Sequence, residues 1–467
     1  MTRRTTAATW SRGKVRVLVR NAFLLGMLVV DPALAVAQPP PSGQRPKETQ
    51  ATDQEPMEIA AEMPLPPPPP PRPLGQVKVG AWTLTPSVLL TNIGIDTNVY
   101  NTNGERKSAF TATFGPVLDA AYDSRVLTFA ATATAGYVYY STFSSQGGFS
   151  PTLMLAADYR LSRRINLFSN NLIASTKNRP SIEIDARSRR TTTDNGIGVG
   201  FALSTKLRLE VEQRYDRIRY DANAFYRGIA LAGPLNERTT TFSGTLKYKL
   251  TPYTAVRAVV LTDNVEYPLS FVRDGRGTEY AGGVEFNPRA LLSGDLRIGY
   301  RRFRSRSPLQ PDYNGGVYDG RIMFTPGEST GVMVGLHKSV MPSYSPLTPY
   351  YVLSQYEGNL LQRLNRRFDT GLNLTYYDMG YRTLTVLPVD PLPFGSNVER
   401  SFTASIGLLT RRVGRYAFYA QGWQRRYLAQ HELNYNTLRF GLMITSTRWL
   451  TATSGFGRGV FVSVPQL

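Results

Sequence analysis

The feature that most constrains the fold of this chain is a two-residue alternation of apolar and charged side chains. It is sharpest in KLRLEVEQRYDRIRY (206–220), where Leu207, Leu209, Val211 and Tyr215 stand at odd positions and charged residues at most even ones. Successive side chains of a β-strand point to opposite faces, so this segment predicts a strand with one apolar and one charged face. The same alternation recurs in LTFAATATAGYVYY (127–140) and TFSGTLKYKL (241–250). Beyond residue 75 we find no extended stripe with the spacing of an amphipathic helix.

A short turn motif divides the alternating segments and returns about every 40 residues. An apolar residue is followed by Ser, Thr or Asn and then by Pro or a basic residue, as in LSRRINL (161–167) and LTPYTAV (250–256). Ser, Thr and Asn bond the local backbone, and Pro presets a turn conformation. Longer polar connections lie between these turns. Eight internal short turns and nine long connections together predict eighteen strands in consecutive hairpins.

Short turns at one end and long loops at the other are typical of an outer-membrane barrel. We therefore predict an all-β fold, a transmembrane antiparallel up-and-down β-barrel of about 18 strands over residues 76–447. Residues 448–467 are left as a C-terminal tail. The alternative is a soluble β-sandwich with a solvated outer face, which eighteen similar strands behind an export signal make less favourable.

The N-terminal segment has the layout of a secretory signal. Basic residues precede the apolar run AFLLGMLVV (22–30), and Ala35 and Ala37 form a small-residue cleavage site. Nine apolar residues are too few to cross a bilayer, which takes roughly 20. We predict a signal peptide over residues 1–37, export through the inner membrane, and a cell outer membrane location.

Residues 38–75 have a different composition, with six consecutive prolines at Pro66–Pro71. Such a run forms an extended polyproline II segment, and the polar flanks favour disorder. We predict a disordered proline-rich periplasmic segment. It acts either as a passive spacer or as a docking segment for a periplasmic export partner.

Composition narrows the function classes. The chain has no cysteine, which excludes disulfides and thiolate metal sites, and we predict no metal and no cofactor. Its formal charge of +20 falls to +15 without residues 1–37, and the basic residues are spread over strands, which argues against nucleic-acid binding. The only histidines are His337 and His431. His337 shares a strand face with Ser339, but two residues are too few to predict catalysis, so we expect no enzyme.

In a membrane barrel the apolar face meets lipid and the polar face meets the lumen. Leu207, Leu209 and Val211 would then face lipid, and placing arginine there instead would cost roughly 2–4 kcal/mol at the midplane. Basic residues exceed acidic ones on the predicted inner face, so we expect a passive conduit with a weak preference for anions. The alternative is that these charges only pair with one another. The predicted lumen-lining residues are Arg208, Glu210, Glu212, Arg214, Lys247, Lys249, Arg257, Arg297, Arg301 and Arg439.

A family resemblance supports the barrel. WTLTPSVLLTNIGIDTNVYNT (82–102) carries a Thr-Pro and then Asp96-Thr97-Asn98-Val99-Tyr100. This stretch and the LSRR and LTP turns resemble the outer-membrane family called putative β-barrel porin 2. The resemblance would cover residues 76–447. It implies a barrel associated with exopolysaccharide biosynthesis, and passage of polysaccharide across the outer membrane.

Three functions follow in order of preference. The first is a porin-like channel for export of exopolysaccharide or passage of anionic solutes, with outer-membrane lipid and an anionic polysaccharide as partners. The second is a structural or adhesive barrel whose outer loops bind partners. The third is an outer-membrane hydrolase that uses Ser339 and His337.

Overall fold

The computed structural model describes residues 77–102, 104–286, 291–327, 329–365, 368–385, 398–410, 416–427 and 434–445. The predicted signal peptide (1–37), the proline-rich segment (38–75) and the tail (448–467) lie outside these ranges, as does His431.

Eighteen long strands follow one another along the chain, and we number them in chain order. They are β1 (Trp82–Asp96), β2 (Ala109–Asp123), β3 (Leu127–Tyr140), β4 (Gly148–Arg160), β5 (Ile165–Asn178), β6 (Ser188–Ala202), β7 (Leu207–Tyr220), β8 (Glu237–Thr251), β9 (Thr254–Glu266), β10 (Gly275–Phe286), β11 (Leu292–Ser305), β12 (Tyr313–Phe324), β13 (Thr330–Pro342), β14 (Tyr350–Arg363), β15 (Phe368–Arg382), β16 (Val398–Thr410), β17 (Tyr416–Tyr427) and β18 (Tyr435–Thr445).

Each strand pairs antiparallel with the next, and the ring closes where β18 pairs with β1. The closing register places Asp96 opposite Arg439 and Leu89 opposite Thr445. This confirms the predicted fold class, an all-β, antiparallel up-and-down barrel of eighteen strands. Closure gives every long strand two neighbours, so the barrel has no free edge.

Minor elements lie at the strand ends and in the loops. A short strand, Val77–Val79, folds back on β1, and a two-stranded ribbon joins Phe225–Tyr226 to Ile229–Ala230. In the part of the chain that the structure describes, the helical segments are single turns at Ser144–Gln146, Ala232–Leu235 and Phe271–Arg273. Within the described ranges, no helix is long and apolar enough to cross a membrane.

The serines of the repeated turn motif stabilise the tight turns directly. The Ser162 hydroxyl accepts a hydrogen bond from the backbone N–H of Ile165 at 3.1 Å, and Ser204 accepts one from Leu207 at 3.0 Å. At both turns a side-chain oxygen therefore bonds a backbone amide three residues further along the chain, which favours the tight turn.

The two faces of each strand differ in exposure as the alternation predicts. On β11, Ile298 is 61% exposed on the outer face, whereas the neighbouring Arg297 side chain is 18% exposed on the inner face. Phe242, Leu246 and Tyr248 form the same exposed apolar face on β8. The outer surface of the barrel is therefore apolar and the inner wall polar.

Candidate functional site: the lumen and the loop that crosses it

The structure places all ten predicted lumen residues on the strand face opposite to the exposed apolar side chains. On β8, for example, Lys247 and Lys249 alternate with the exposed Tyr248 and Leu250. The inward orientation follows from strand geometry once the apolar face is outside.

Nine of the ten residues belong to ion pairs on the inner wall. Each of the seven cations among these nine has a carboxylate oxygen within 3.4 Å, so the wall carries charges of both signs in close pairs. The pairs are Arg208–Glu210 (2.7 Å), Arg214–Glu212 (2.7 Å), Arg214–Asp194 (2.8 Å), Lys247–Glu285 (2.7 Å), Arg257–Asp295 (2.6 Å), Arg297–Glu279 (3.4 Å), Arg301–Asp263 (2.5 Å) and Arg439–Asp96 (3.1 Å).

Sequence reasoning missed six of the eight carboxylates in these pairs, and three of the six stand two strands away from their partners. Lys247 on β8 reaches Glu285 on β10, and Arg257 on β9 reaches Asp295 on β11. Both pairs have a sequence separation of 38 residues, about one hairpin repeat. A search of the sequence for acidic and basic residues 38 positions apart would therefore have identified these partners.

Glycines on the intervening strands leave room for such pairs. Gly335 on β13 lies in register between Arg321 on β12 and Glu357 on β14, whose side chains meet at 3.0 Å. A Cβ at position 335 would stand 3.1 Å from the Glu357 carboxylate, tighter than ordinary packing allows. Strand glycine here marks a close approach of neighbouring groups.

The loop that joins β5 to β6, residues 179–187, crosses the lumen. Ile182 packs with a buried cluster that includes Tyr351 on β14 and Met379 on β15. These strands are about half of the eighteen-strand ring away from β5 and β6. None of the nine loop residues is exposed. We call this segment the crossing loop.

Charged groups hold the crossing loop to the walls. Arg179 pairs with Asp185 within the loop at 2.6 Å and donates to the backbone carbonyl of Val99 at 3.1 Å. Asp185 also contacts Arg425 of β17 at 3.6 Å and accepts a hydrogen bond from the Asn101 amide at 3.1 Å. The loop is thus tied to the β1–β2 loop and to β17.

Glu183 ties the crossing loop to the β13–β14 loop. Its carboxylate accepts hydrogen bonds from the Ser343 hydroxyl at 2.6 Å and from the backbone N–H of Tyr344 at 3.1 Å. Burial raises the pKa of Glu183 to about 7, with Ser343, Tyr344 and Arg273 acting in the opposite direction.

Two more loops fold over the crossing loop. Leu231 and Leu235 of the β7–β8 loop pack with Ile184 and Tyr344 in one buried cluster. From the β9–β10 loop, Arg273 donates to the backbone carbonyls of Ser343, Ser345 and Pro349 at 2.5–3.0 Å. The long-loop end of the barrel is therefore covered by interlocked loops, which no local pattern of the sequence predicts.

A separate polar chain lies on the inner wall at β12 and β13. His337 Nε2 is 2.7 Å from Ser339 Oγ, and His337 Nδ1 is 3.2 Å from Asp319 Oδ1. The structure thus brings together the predicted Ser–His pair and adds Asp319, which the sequence did not single out. Asp319 stands opposite His337 in the sheet register.

A closed eighteen-strand barrel with an apolar exterior, a charged inner wall and an inward-folded loop defines a porin-type protein of the outer membrane. The chain belongs to the family described as Putative beta-barrel porin 2, whose model matches residues 69–422. This confirms the resemblance stated above.

Solved structures with a similar fold include two from Pseudomonas aeruginosa. Pseudomonas aeruginosa OccK3 (OpdO) is 12% identical with a TM-score of 0.46, covering 78% of this chain and 96% of that one. OccK2 (OpdF) of the same organism, solved in complex with glucuronate, is 13% identical with a TM-score of 0.44, covering 78% and 98%. No curated protein sequence matches the chain.

Proposed function

We propose that this porin carries polar solutes of the saccharide class, acidic sugars and exopolysaccharide among them, through a lumen whose width the crossing loop controls. The observation that carries the proposal is the pairing of the lumen charges. Each of those seven cations stands beside a carboxylate, so the wall offers hydrogen-bonding groups but only a small net electrostatic field. Such a wall selects solutes by size and polarity more than by charge.

Uncharged polar groups on the β14–β16 side of the wall support a saccharide solute. Asn359 and Asn373 are joined at 2.6 Å, and Asn373 also bonds Glu357 at 3.2 Å. Thr375 and Thr403 continue this polar surface on β15 and β16. Amides and hydroxyls both donate and accept hydrogen bonds, which matches the hydroxyl groups of sugars.

Passage of a polymer requires the crossing loop to move. Its residues reach the opposite wall, so a polysaccharide chain would have to displace them. We propose that the loop restricts the resting channel to small solutes and that its release admits a chain. This accommodates the exopolysaccharide role that the family resemblance implies.

Planar-bilayer recordings of the refolded mature protein test the proposal. We expect a stable channel with weak ion preference in a salt gradient, together with liposome permeability to neutral and acidic oligosaccharides. A strong anion preference with no saccharide permeability would instead favour a narrow anion channel. A folded barrel that stays silent even when the crossing loop is released by mutation would favour the structural or adhesive alternative.

A second candidate, hydrolysis, rests on the Asp319–His337–Ser339 chain. The order carboxylate, imidazole, hydroxyl is the one that activates a serine nucleophile. A fluorophosphonate probe would label wild type and the outward-facing control Ser354→Ala but not Ser339→Ala if the serine is activated. If none of the three proteins is labelled, hydrolysis is excluded, and Asp319, His337 and Ser339 are structural residues of the inner wall.

A further inference from the structure

Six arginines point away from the lumen on four of the five neighbouring strands from β7 to β11. They alternate with inner-wall residues, as on β11, where Arg301 and Phe303 face inward. Each lies within three residues of the strand end that meets the long loops. The six, which we call the outer arginine belt, are Arg217 and Arg219 on β7, Arg238 on β8, Arg276 on β10, and Arg302 and Arg304 on β11.

Like charges face each other within the belt. Arg238 stands directly opposite Arg217, and Arg276 directly opposite Arg304. Like charges in opposed positions destabilise a sheet. All of the belt except the half-buried Arg217 is exposed.

Carboxylates do not balance the belt. Within the part of the chain that the structure describes, none of the six arginines forms an ion pair, in contrast to the paired arginines of the lumen. Glu266 of β9 stands opposite Arg238 in register, but its carboxylate bonds Asn264 at 2.9 Å and lies 4.0 Å from Arg306 of the β11–β12 loop. The belt therefore keeps a surplus of positive charge on its own surface.

Aromatic residues locate the belt relative to the bilayer. Tyr215 and Tyr300 are exposed on the same faces, two residues further from the strand ends than Arg217 and Arg302. Tyr280 pairs with Tyr300 across β10 and β11. Aromatic residues of barrels concentrate at the membrane–water interfaces. The arginines beyond them are thus at the level of the lipid head groups of the outer leaflet.

We propose that the outer arginine belt binds the phosphate groups of a phosphorylated glycolipid in the outer leaflet. Arginine presents a planar fork that bonds phosphate oxygens in pairs, and two opposed arginines can share one phosphate. A bound phosphate converts the repulsion within each opposed pair into attraction. The site faces lipid rather than the lumen, so this inference is independent of the proposed transport function.

The test compares two triple variants of the full mature protein that remove the same charge. The belt variant removes the arginines of β10 and β11 through the substitutions Arg276→Gln, Arg302→Gln and Arg304→Gln. Arg125→Gln, Arg163→Gln and Arg164→Gln change three exposed arginines at the opposite end of the barrel and serve as the matched control. Binding of purified lipopolysaccharide to each refolded protein in detergent is measured by native mass spectrometry.

We expect wild type and control to bind alike and the belt variant to bind at least about tenfold more weakly, because three of the cations that attract an anionic surface are removed. Dephosphorylated lipopolysaccharide should bind all three proteins equally weakly. Equal binding by belt variant and control, or no effect of dephosphorylation, would overturn the proposal. Displacement by millimolar inorganic phosphate would also overturn it, since the belt would then be a site for the free anion.

A second belt variant keeps the proposal testable if the first variant fails to fold. Arg217→Gln with Arg238→Gln removes the other opposed pair and should weaken lipopolysaccharide binding in the same direction. Heat-modifiable migration in gels verifies that each barrel is folded. Undiminished binding by a folded Arg217→Gln, Arg238→Gln protein would restrict the site to β10 and β11, contrary to a belt that extends over β7 and β8.

Discussion

Asp185 and Arg425 form an ion pair of 3.6 Å that joins the loop between β5 and β6 to strand β17 on another wall of the barrel. Both side chains are largely buried, at 15% and 2% exposure. The pair is one of the contacts that hold the crossing loop over the lumen, and it joins segments far apart in the chain.

Replacing Asp185 with Asn should release the crossing loop. The change removes the charge that faces both Arg179 and Arg425, and breaking a buried ion pair costs about 3–5 kcal/mol. We expect a larger single-channel conductance or an open fraction raised by at least about tenfold, since each 1.4 kcal/mol is a factor of ten. Planar-bilayer recording measures both.

The control for this change is Glu285→Gln, which breaks the wall pair with Lys247 and does not touch the loop. Its conductance should stay near that of wild type. A wild-type conductance for Asp185→Asn would mean that the crossing loop does not limit flow.

The conductance should rise with pH between about 5 and 7. The closed loop holds Glu183 with a pKa of about 7, whereas the released loop would return this carboxyl to an ordinary value near 4.5. Between these values the closed form binds more protons, so raising the pH stabilises the released form and has no further effect above about 7. Single-channel recordings across this pH range measure the change. Glu183→Gln should flatten the profile, and an unchanged profile in that variant would assign the pH dependence to another group.

Ion selectivity should shift toward cations when lumen arginines are removed. In Arg297→Ala with Arg301→Ala, Glu279 and Asp263 lose their partners and face the solute path. We expect the reversal potential in a salt gradient to shift toward cation preference. Arg302→Ala with Arg304→Ala removes two arginines from the same strand on its outer face and should leave the potential unchanged. Equal shifts in both variants would contradict the assignment of faces.

Arginine on the lipid face should destabilise the barrel. Ile298 is exposed near the middle of β11, and Ile298→Arg should lower the free energy of unfolding in lipid vesicles by roughly 2–4 kcal/mol. Ser243→Arg places the same side chain on the inner face of β8, opposite Glu212, and should cost much less. Denaturant titration measures both, and similar losses would argue against a lipid-facing Ile298.

Much of the barrel could be derived from local patterns. Alternation in β7 separates Leu209 from Glu210 because strand geometry alone sends neighbours to opposite faces. Turn motifs such as the one at Ser162 mark hairpin ends by hydrogen bonds that span three residues. Counting such turns predicts eighteen strands, and their asymmetry predicts which end carries the long loops.

The sequence by itself therefore determined the strands, their two faces and their number, because each depends on residues close together in the chain. Only the tertiary structure decided which charges meet. Arg257 finds Asp295 across an intervening strand, and Asp185 finds Arg425 across the lumen. The first contact requires the register of three strands, and the second requires closure of the whole ring. The position of the crossing loop depends on that closure, because β14 and β15 stand opposite β5 and β6 only when the ring is closed.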